Sequence, residues 1–441
     1  MPNNGARTSA TSQPSVCDLS GEASFDIEHC NPVQHEFPVH RNPTVSFVIA
    51  LAGALHQFGT PTDRLEAILT AVTHRLGVKG QFFAIPTGIF ASFGTPEEQR
   101  TALIRVEPSG NADLEKMSML DELTNRVIGS DVTPADGIQR IEEIVASPSR
   151  YGKAITVLAY GLVSGSGSRF FGGGWREAIA STFIGLALGL LSLMMEWSLD
   201  LDQIFEPAAA LLVSVLAIVS AQVLRPVSIT NLTLSGLFFL FPGLTLTLGI
   251  RELASRNLVS GTAQLTAAGL VFLELGFGVA LGVQLGRLLP VPSLTFDPIA
   301  LPGWTQWLAL LISPPALAIL LRAKPSDIGW IMLACFISFG GARAGTVLLG
   351  PELGVFLGAL LIAVGSNMFS RRLNRPSAIT LVPGMLLLVP GSVGFTSLSK
   401  FLLRDVVSGV ETAFRMVLIA IALVTGLLLA GVLVRPRQTS Y

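Results

Sequence analysis

A carboxylate in the middle of an apolar run can carry a proton across a membrane or meet a substrate ammonium, and Glu274 in LVFLELGFG is such a group. Pro-Gly pairs inside apolar runs are a second kind of chemistry-bearing feature. Proline removes a helix hydrogen bond and glycine eases unwinding, so backbone N–H and C=O groups become available to a bound solute. FPGLTLTLGIRELASRNLVSG (241–261) and VPGSVGFTSLSKFLLRDVVSG (389–409) both run from Pro-Gly to Val-Ser-Gly, with eighteen residues from Pro242 to Ser260 and eighteen from Pro390 to Ser408. Irregular backbone at membrane depth persists only where protein or a water-filled cavity covers it. The candidate substrate site is therefore Pro242, Gly243, Thr245 and Thr247 in the first block, and Pro390, Gly391, Ser392, Thr396 and Ser397 in the second. Pro383-Gly384, just upstream of the second block, adds a further expected break that the first block's surroundings lack. The competing expectation is a pair of packing kinks without a ligand, because Pro and Gly are common in membrane helices. Arg343 and Arg415 could neutralise a substrate carboxylate or pair with Glu274, and Arg343, near a segment end, could equally snorkel to the interface.

A second group of polar residues lies in GALHQFGTPTDRLE (53–66). His56, Gly59, Arg64 and Glu66 form a conspicuous motif, and His56, Arg64 and Glu66 would be the set used by a membrane-tethered hydrolase. Arg64 and Glu66 are two apart on a helix and do not share a face. No Ser or Cys nucleophile in a strained turn accompanies them, so His56 is expected to hydrogen-bond at a helix end. No metal-ligand cluster, no phosphate-binding Gly loop and no basic aromatic patch is present, so neither a metal, a cofactor, ATP coupling nor a nucleic-acid partner is expected. Cys17, Cys30 and Cys335 give no disulfide framework. The chain is not expected to be an enzyme.

The elements that must position these residues fall into two solvents. Half of the 441 residues are hydrophobic and 13% are charged, with mean hydropathy +0.61. Residues 1–150 carry 11 Lys/Arg against 18 Asp/Glu, and residues 151–441 carry 18 against 12. No secretory leader is read at the start, and 1–42, polar and rich in Ser, Pro and Asn, is expected to be disordered. Residues 43–150 predict a small α+β soluble domain: helices over 43–59 and 61–76, the second capped by Thr60, a strand over 81–94 bent at Pro86, a strand over 101–107, and helices near 113–128 and 134–146. Ten apolar segments follow, centred in 152–170, 177–195, 207–224, 227–250, 258–286, 301–321, 328–346, 353–370, 376–398 and 413–434. The segments at 152–170 and 328–346 each have only about fifteen consecutive uncharged residues, fewer than a full crossing needs. Gly278, Gly282 and Gly286 make a small-residue face for helix packing. Asn231, Gln264, Gln284 and Asn367 are polar residues that would bind substrate or join helices.

The Pro-Gly blocks belong to a longer repeat. Arg225-Pro226 precedes the first and Arg375-Pro376 the second, each followed by Ile-Thr; the offset is 150 residues there and 148 at the Pro-Gly pairs. Two five-helix units, 151–290 and 301–434, account for this. An odd number of crossings per unit forces the copies into opposite orientations, the inverted-repeat plan of many secondary transporters. With the soluble domain inside, eleven Lys/Arg flank the cytoplasmic side and eight the outer side, a small positive-inside bias. The expected place is the plasma (inner) membrane, multi-pass, with a cytoplasmic N-terminal domain.

GALHQFGTPTDRLEAILTAVTHRLGV, the segment FFAIPTGIFASFG, FPGLTLTLGIREL-x-x-RNLVSG and LVPGMLLLVPGS together resemble the threonine/serine exporter family over residues 43–434. The resemblance implies a cytosolic N-terminal domain, ten membrane helices and proton-driven efflux of L-threonine and L-serine; related two-chain members imply dicarboxylate export. The reading is a proton-coupled, alternating-access exporter of small polar amino acids, with Glu274 carrying the proton. A succinate-like dicarboxylate exporter is the alternative, which needs Arg251, Arg343 and Arg415 to face the pocket. The partners are a small-molecule substrate, protons and the lipid bilayer, and association into a homo-oligomer is compatible with this organisation.

Overall fold

A computed structural model describes residues 42–95, 97–106, 112–195, 203–286, 288, 301–388, 391–402 and 405–435. The segment expected to be disordered falls, up to residue 41, outside these, as does Pro390.

The chain enters as α1 (Pro43–Gln57), whose cap Asn42 accepts from the Thr44 N–H at 3.0 Å and whose Phe47, Val48 and Leu51 are fully buried. Helix α2 (Thr62–Arg75) starts one residue later than the Thr60-Pro61 pattern predicts. Pro61 takes the cap position, and the Thr60 hydroxyl is buried with no hydrogen-bond partner among the described residues, so the expected Thr60 cap is corrected. The segment 81–94 is also corrected. It is two strands, β1 (Gly80–Ile85) and β2 (Gly88–Phe93), with Ile85 opposite Gly88 across a Pro86-Thr87 turn. Proline cannot donate to a ladder and pre-sets φ for a turn, so the chain reverses at Pro86. Strand β3 (Arg100–Arg105) adds antiparallel to β2, giving the order β1-β2-β3. Helices α3 (Leu114–Ile128) and α4 (Pro134–Ala146) begin at side-chain caps: Asp113 accepts from the Lys116 N–H at 2.9 Å, and Thr133 accepts from the Asp136 N–H at 3.2 Å.

Among the described residues twelve further α-helices follow: α5 (Lys153–Phe170), α6 (Trp175–Met195), α7 (Phe205–Val223), α8 (Ile229–Gly236), α9 (Gly243–Ala254), α10 (Leu258–Gly286), α11 (Thr305–Leu320), α12 (Ile328–Leu349), α13 (Gly354–Leu373), α14 (Ala378–Leu386), α15 (Gly391–Leu402) and α16 (Val406–Leu433). Among the described residues, seven helical stretches are long and apolar enough to cross a membrane. The chain is a polytopic α-helical membrane protein. Three of the ten apolar segments fall outside the seven, each for a visible reason. The second half of α5 is a buried Ser/Gly run ending in Arg169. The segment 227–250 is interrupted between α8 and α9, and α11 has only 16 residues with Pro314 and Pro315 inside it. The expected break at Pro383-Gly384 is not one: α14 runs through it, and the Ser338 hydroxyl donates to the Gly384 carbonyl at 2.6 Å.

Helix α10 lies backbone-close against α7. A Cβ on Gly278 would sit 2.3 Å from the Pro207 carbonyl oxygen, and one on Gly286 2.4 Å from Ile218 Cδ1. The small-residue face is thus a packing seam. At one end of the bundle the first-turn N–H groups of α3, from Leu114 and Glu115, donate to the Leu321 and Arg322 carbonyls at the end of α11, both at 3.1 Å. One helix's unsatisfied donors thereby meet another's unsatisfied acceptors. Arg322 also ion-pairs with Asp113 at 3.7 Å, and the Tyr151 hydroxyl donates to the Ala323 carbonyl at 2.6 Å. This is the end that bears the N-terminal domain; the end where α5 finishes is distal to it.

Candidate functional site

The two Pro-Gly blocks meet. Pro242 stands at the N-cap of α9 and Gly391 opens α15. A Cβ on Gly391 would lie 2.6 Å from Phe241 Cβ and 3.4 Å from the Gly243 N, so only glycine allows this approach. The Phe241 and Phe395 rings pack with centroids 5.3 Å apart inside the buried cluster that also holds Leu232 and Leu237. The two half-helices α9 and α15 therefore start side by side.

A cleft of about 330 Å³ opens along α15, lined by Phe171, Leu234, Pro351, Glu352, Ser392, Val393, Thr396, Lys400, Thr412, Arg415 and Ile419. Ser392, Thr396 and Lys400 recur at four-residue spacing and form one stripe of α15, while Thr412, Arg415 and Ile419 form the facing stripe of α16. Lys400 Nζ donates to the Thr412 hydroxyl at 2.9 Å. Arg415 is half exposed and ion-pairs with Glu352 at 2.8 Å. The Thr396 hydroxyl donates to the Ser392 carbonyl at 2.7 Å, which leaves its oxygen able to accept. The cleft thus offers two cations, one carboxylate and three hydroxyl-bearing side chains.

The structure brings Ser392, Thr396 and Arg415 together, and Gly391 sits at the root of the cleft beside Gly243. Thr247 is not in it: the residue is fully buried and its hydroxyl donates to the Gly243 carbonyl at 2.9 Å. Thr245 is half-buried on α9 and also outside the lining, and Ser397 spends its hydroxyl on the Gly409 carbonyl at 2.8 Å. Glu274 is half-buried within α10, and among the described residues no hydrogen bond or ion pair joins it to Arg343 or Arg415. Arg343 instead donates to Gln306 Oε1 at 2.9 Å. Lys400, Glu352 and Thr412 escaped the reading of the sequence. Lys400 continues the Ser392–Thr396 spacing and could have been found that way; Glu352, in the α12–α13 connection, leaves no such signal.

The polar residues of the N-terminal motif are not brought together. His56 Nε2–H donates to the Pro86 carbonyl at 3.0 Å and pins the hairpin turn, and burial holds its pKa below the ordinary value. Glu66 accepts from the Ala84 N–H at 2.7 Å, tying α2 to β1. Gly59 turns the chain between α1 and α2 at φ +92°, a conformation that favours glycine. Arg64 leaves the domain altogether and donates to the Ser377 hydroxyl at 2.8 Å, just before α14. Beside it, the Thr62 hydroxyl donates to Glu252 Oε1 at 2.7 Å, and Gln264 donates to Glu252 Oε2 at 3.0 Å. A larger concavity of about 490 Å³ lies at the opposite end of α2, around Thr70, His74, Lys79 and Gln99. Among the described residues no group of three or more His, Cys, Asp or Glu is placed to hold a metal ion.

The distal end is held by buried polar contacts. Asn231 donates to the Phe171 carbonyl at 3.0 Å and accepts from the Ser168 hydroxyl at 2.7 Å, so it joins α8 to α5. Glu177 accepts from the N–H groups of Gly174 and Ser228 at 3.0 and 3.1 Å, and Arg176 donates to the Arg225 carbonyl. At the domain-bearing end Asp327 pairs with Arg375.

Two family models match the chain: one described as "Putative threonine/serine exporter" over residues 46–286, and one described as "Threonine/Serine exporter" over residues 305–433. Curated relatives include proteins named pheromone-regulated membrane protein 10. The one from Candida albicans (strain SC5314) is 27% identical over 381 residues, 83% of this chain and 34% of the relative. Those from Eremothecium gossypii and Saccharomyces cerevisiae (strain YJM789) are each 26% identical, covering 84% and 79% of this chain and 50% and 46% of the relatives. The chain thus spans a third to a half of the length of these relatives. No solved structure matches.

Proposed function

The chain belongs to the threonine/serine exporter family, and from that membership we propose that it is a secondary active exporter of small zwitterionic hydroxy amino acids, with the α15–α16 cleft as its substrate site. The observation that carries the proposal is the charge set of that cleft. Lys400 and Arg415 present cations to a carboxylate, Glu352 presents a carboxylate to an ammonium, and Ser392, Thr396 and Thr412 present hydroxyl groups to a substrate hydroxyl. A dicarboxylate would find the same two cations, and that is what favours the second reading. Glu352, ion-paired with Arg415, leaves a net charge better matched to a zwitterion than to a dianion.

Alternating access through ten crossings in two inverted five-helix units, 151–290 and 301–434, is the mechanism we assign. Its support is the placement of the repeated turns. Arg225-Pro226 lies distally beside Arg176 and Glu177, while Arg375-Pro376 lies where Ser377 meets the N-terminal domain. The half-helix starts at Gly243 and Gly391, in contact across the repeats, form the hinge about which the units rock. Glu274, a carboxylate within the long span α10, carries the coupling proton. The protein resides in the plasma membrane with its N-terminal domain in the cytoplasm, and the cleft then opens outward.

Counterflow of labelled serine, threonine and succinate in proteoliposomes, with wild type and Glu274→Gln compared, tests this. Exchange of serine and threonine that survives in Glu274→Gln, with proton-driven uphill movement lost, is expected. Exchange of succinate alone would replace the substrate assignment, and unchanged uphill movement in the variant would remove Glu274 from the coupling step.

A further inference from the structure

Glu252 stands 148 residues before Lys400, and Gln264 stands 148 before Thr412, the offset that also separates Pro242 from Pro390. The repeat therefore places Glu252 and Gln264 where the other copy has Lys400 and Thr412, and the same two positions are bonded with the donor reversed: Gln264 donates to Glu252 at 3.0 Å, and Lys400 donates to Thr412 at 2.9 Å. In each copy the last polar residue of the half-helix stripe bonds to the following long helix. The surroundings differ. Lys400 faces an open cleft, whereas Glu252 is 2% exposed and lies under Thr62, itself 2% exposed. Arg64, two residues on, bonds to Ser377 of the other repeat, so the start of α2 bridges both broken spans at the domain-bearing end. The rest of the domain is fastened elsewhere, through the α3 amides on the end of α11.

We infer that Glu252 and Gln264 form a second substrate-contacting site, on the domain-bearing side, which takes the ammonium of the same amino-acid cargo, and that Thr62 is the lid that occupies it in this conformation. The inference rests on the transport reading given above. An ionised carboxylate accepts only, and here it holds a hydroxyl donor from Thr62 and an amide donor from Gln264. A cargo ammonium and hydroxyl offer the same donor chemistry, so cargo and Thr62 compete for one group. The structure is then a closed state at this end and an open one at the cleft, and α2 must lift before cargo enters from the domain side.

Thr62→Val removes the hydrogen bond to Glu252, whereas Glu252→Gln keeps an acceptor oxygen there and removes the charge that would take the ammonium, which makes their signs decisive. In proteoliposomes containing the full chain, exchange of labelled L-serine should fall about tenfold in Glu252→Gln, the loss of one charge-assisted contact. It should rise roughly twofold or more in Thr62→Val, because the closed state loses a bond that the open state never had. Glu252→Asp, which keeps the charge, should retain more exchange than Glu252→Gln; this variant serves should the Gln variant fail to assemble. Rates that fall together in Thr62→Val and Glu252→Gln would make the contact a structural fastening and overturn the inference, while leaving the transport reading intact. No exchange of any amino acid by the wild type would instead overturn the transport reading itself.

Discussion

The half-helices α9 and α15 carry the same Pro-Gly pair in sequence and touch at Gly243 and Gly391, yet their corresponding stripes differ. Along α15 the four-residue spacing gives Ser392, Thr396 and Lys400, and these line an open cleft with Arg415 and Glu352. The corresponding stripe of α9 is Leu244, Leu248 and Glu252, and only its last residue is polar. That residue is covered by the N-terminal domain. The Pro-Gly pair is thus written in both blocks, and the polar lining lies mainly in the second. The first copy contributes the packing partner: Phe241 against Gly391 and Phe395. Under the proposed transport mechanism the backbone breaks are where the units would hinge, and the side chains along one half-helix would select what is carried.

The largest effect expected from this contrast is at Lys400. Lys400→Ala should lower serine and threonine exchange by about tenfold to a hundredfold, since it removes a charged partner of the cargo carboxylate, while the protein still elutes as a folded species from detergent gel filtration. Gly391→Leu should come next. Its Cβ would enter the space of Phe241 at 2.6 Å, so the half-helices must separate at a cost of about 1–3 kcal/mol, read as a lower melting temperature together with reduced exchange. Glu352→Gln sharpens the cargo assignment. It leaves Lys400 and Arg415 without an anion, and serine exchange should drop about tenfold while succinate competes more strongly.

The smallest effect lies in the covering domain. Burial holds His56 below its ordinary value of 6.5, partly offset by backbone hydrogen bonds at Pro86 and Ile85. The folded state therefore disfavours the proton. The neutral ring's contribution is full above the unfolded value and declines as pH falls through it toward the lower folded value. The melting temperature of the full chain should drop by a few degrees from pH 7 to pH 5, and His56→Gln should flatten part of that slope; an unchanged slope would remove His56 as its source.

Much of the fold was legible because the signals are physical and local. Thr133-Pro134 marked the start of α4, and seven of the ten apolar segments marked helices long and apolar enough to cross a membrane, since neither signal depends on distant contacts. The hairpin at Pro86 is not announced by the sequence, because a two-residue turn carrying Pro-Thr lacks the usual Asn-Gly or Asp-Gly signature. The lining of the candidate cleft was half legible. Ser392, Thr396 and Arg415 could be named from type and place, whereas Glu352 reaches the cleft only through the packing of the α12–α13 connection on α16. Thr247 shows the converse: its hydroxyl is in the right block, but helix geometry turns it back onto the Gly243 carbonyl. The contact of Thr62 with Glu252 spans 190 residues, and no local pattern announces it.

The central claim is that cargo sits against the α15 stripe, and substrate protection of a single thiol tests it most directly. Ser392→Cys, in a chain with Cys17 and Cys30 replaced by serine and with the buried Cys335 retained, would be labelled by a small hydrophilic thiol reagent in proteoliposomes. The account predicts that serine and threonine slow the labelling in proportion to their occupancy and that succinate does so weakly. Labelling that is indifferent to all three, or slowed by succinate alone, would contradict it.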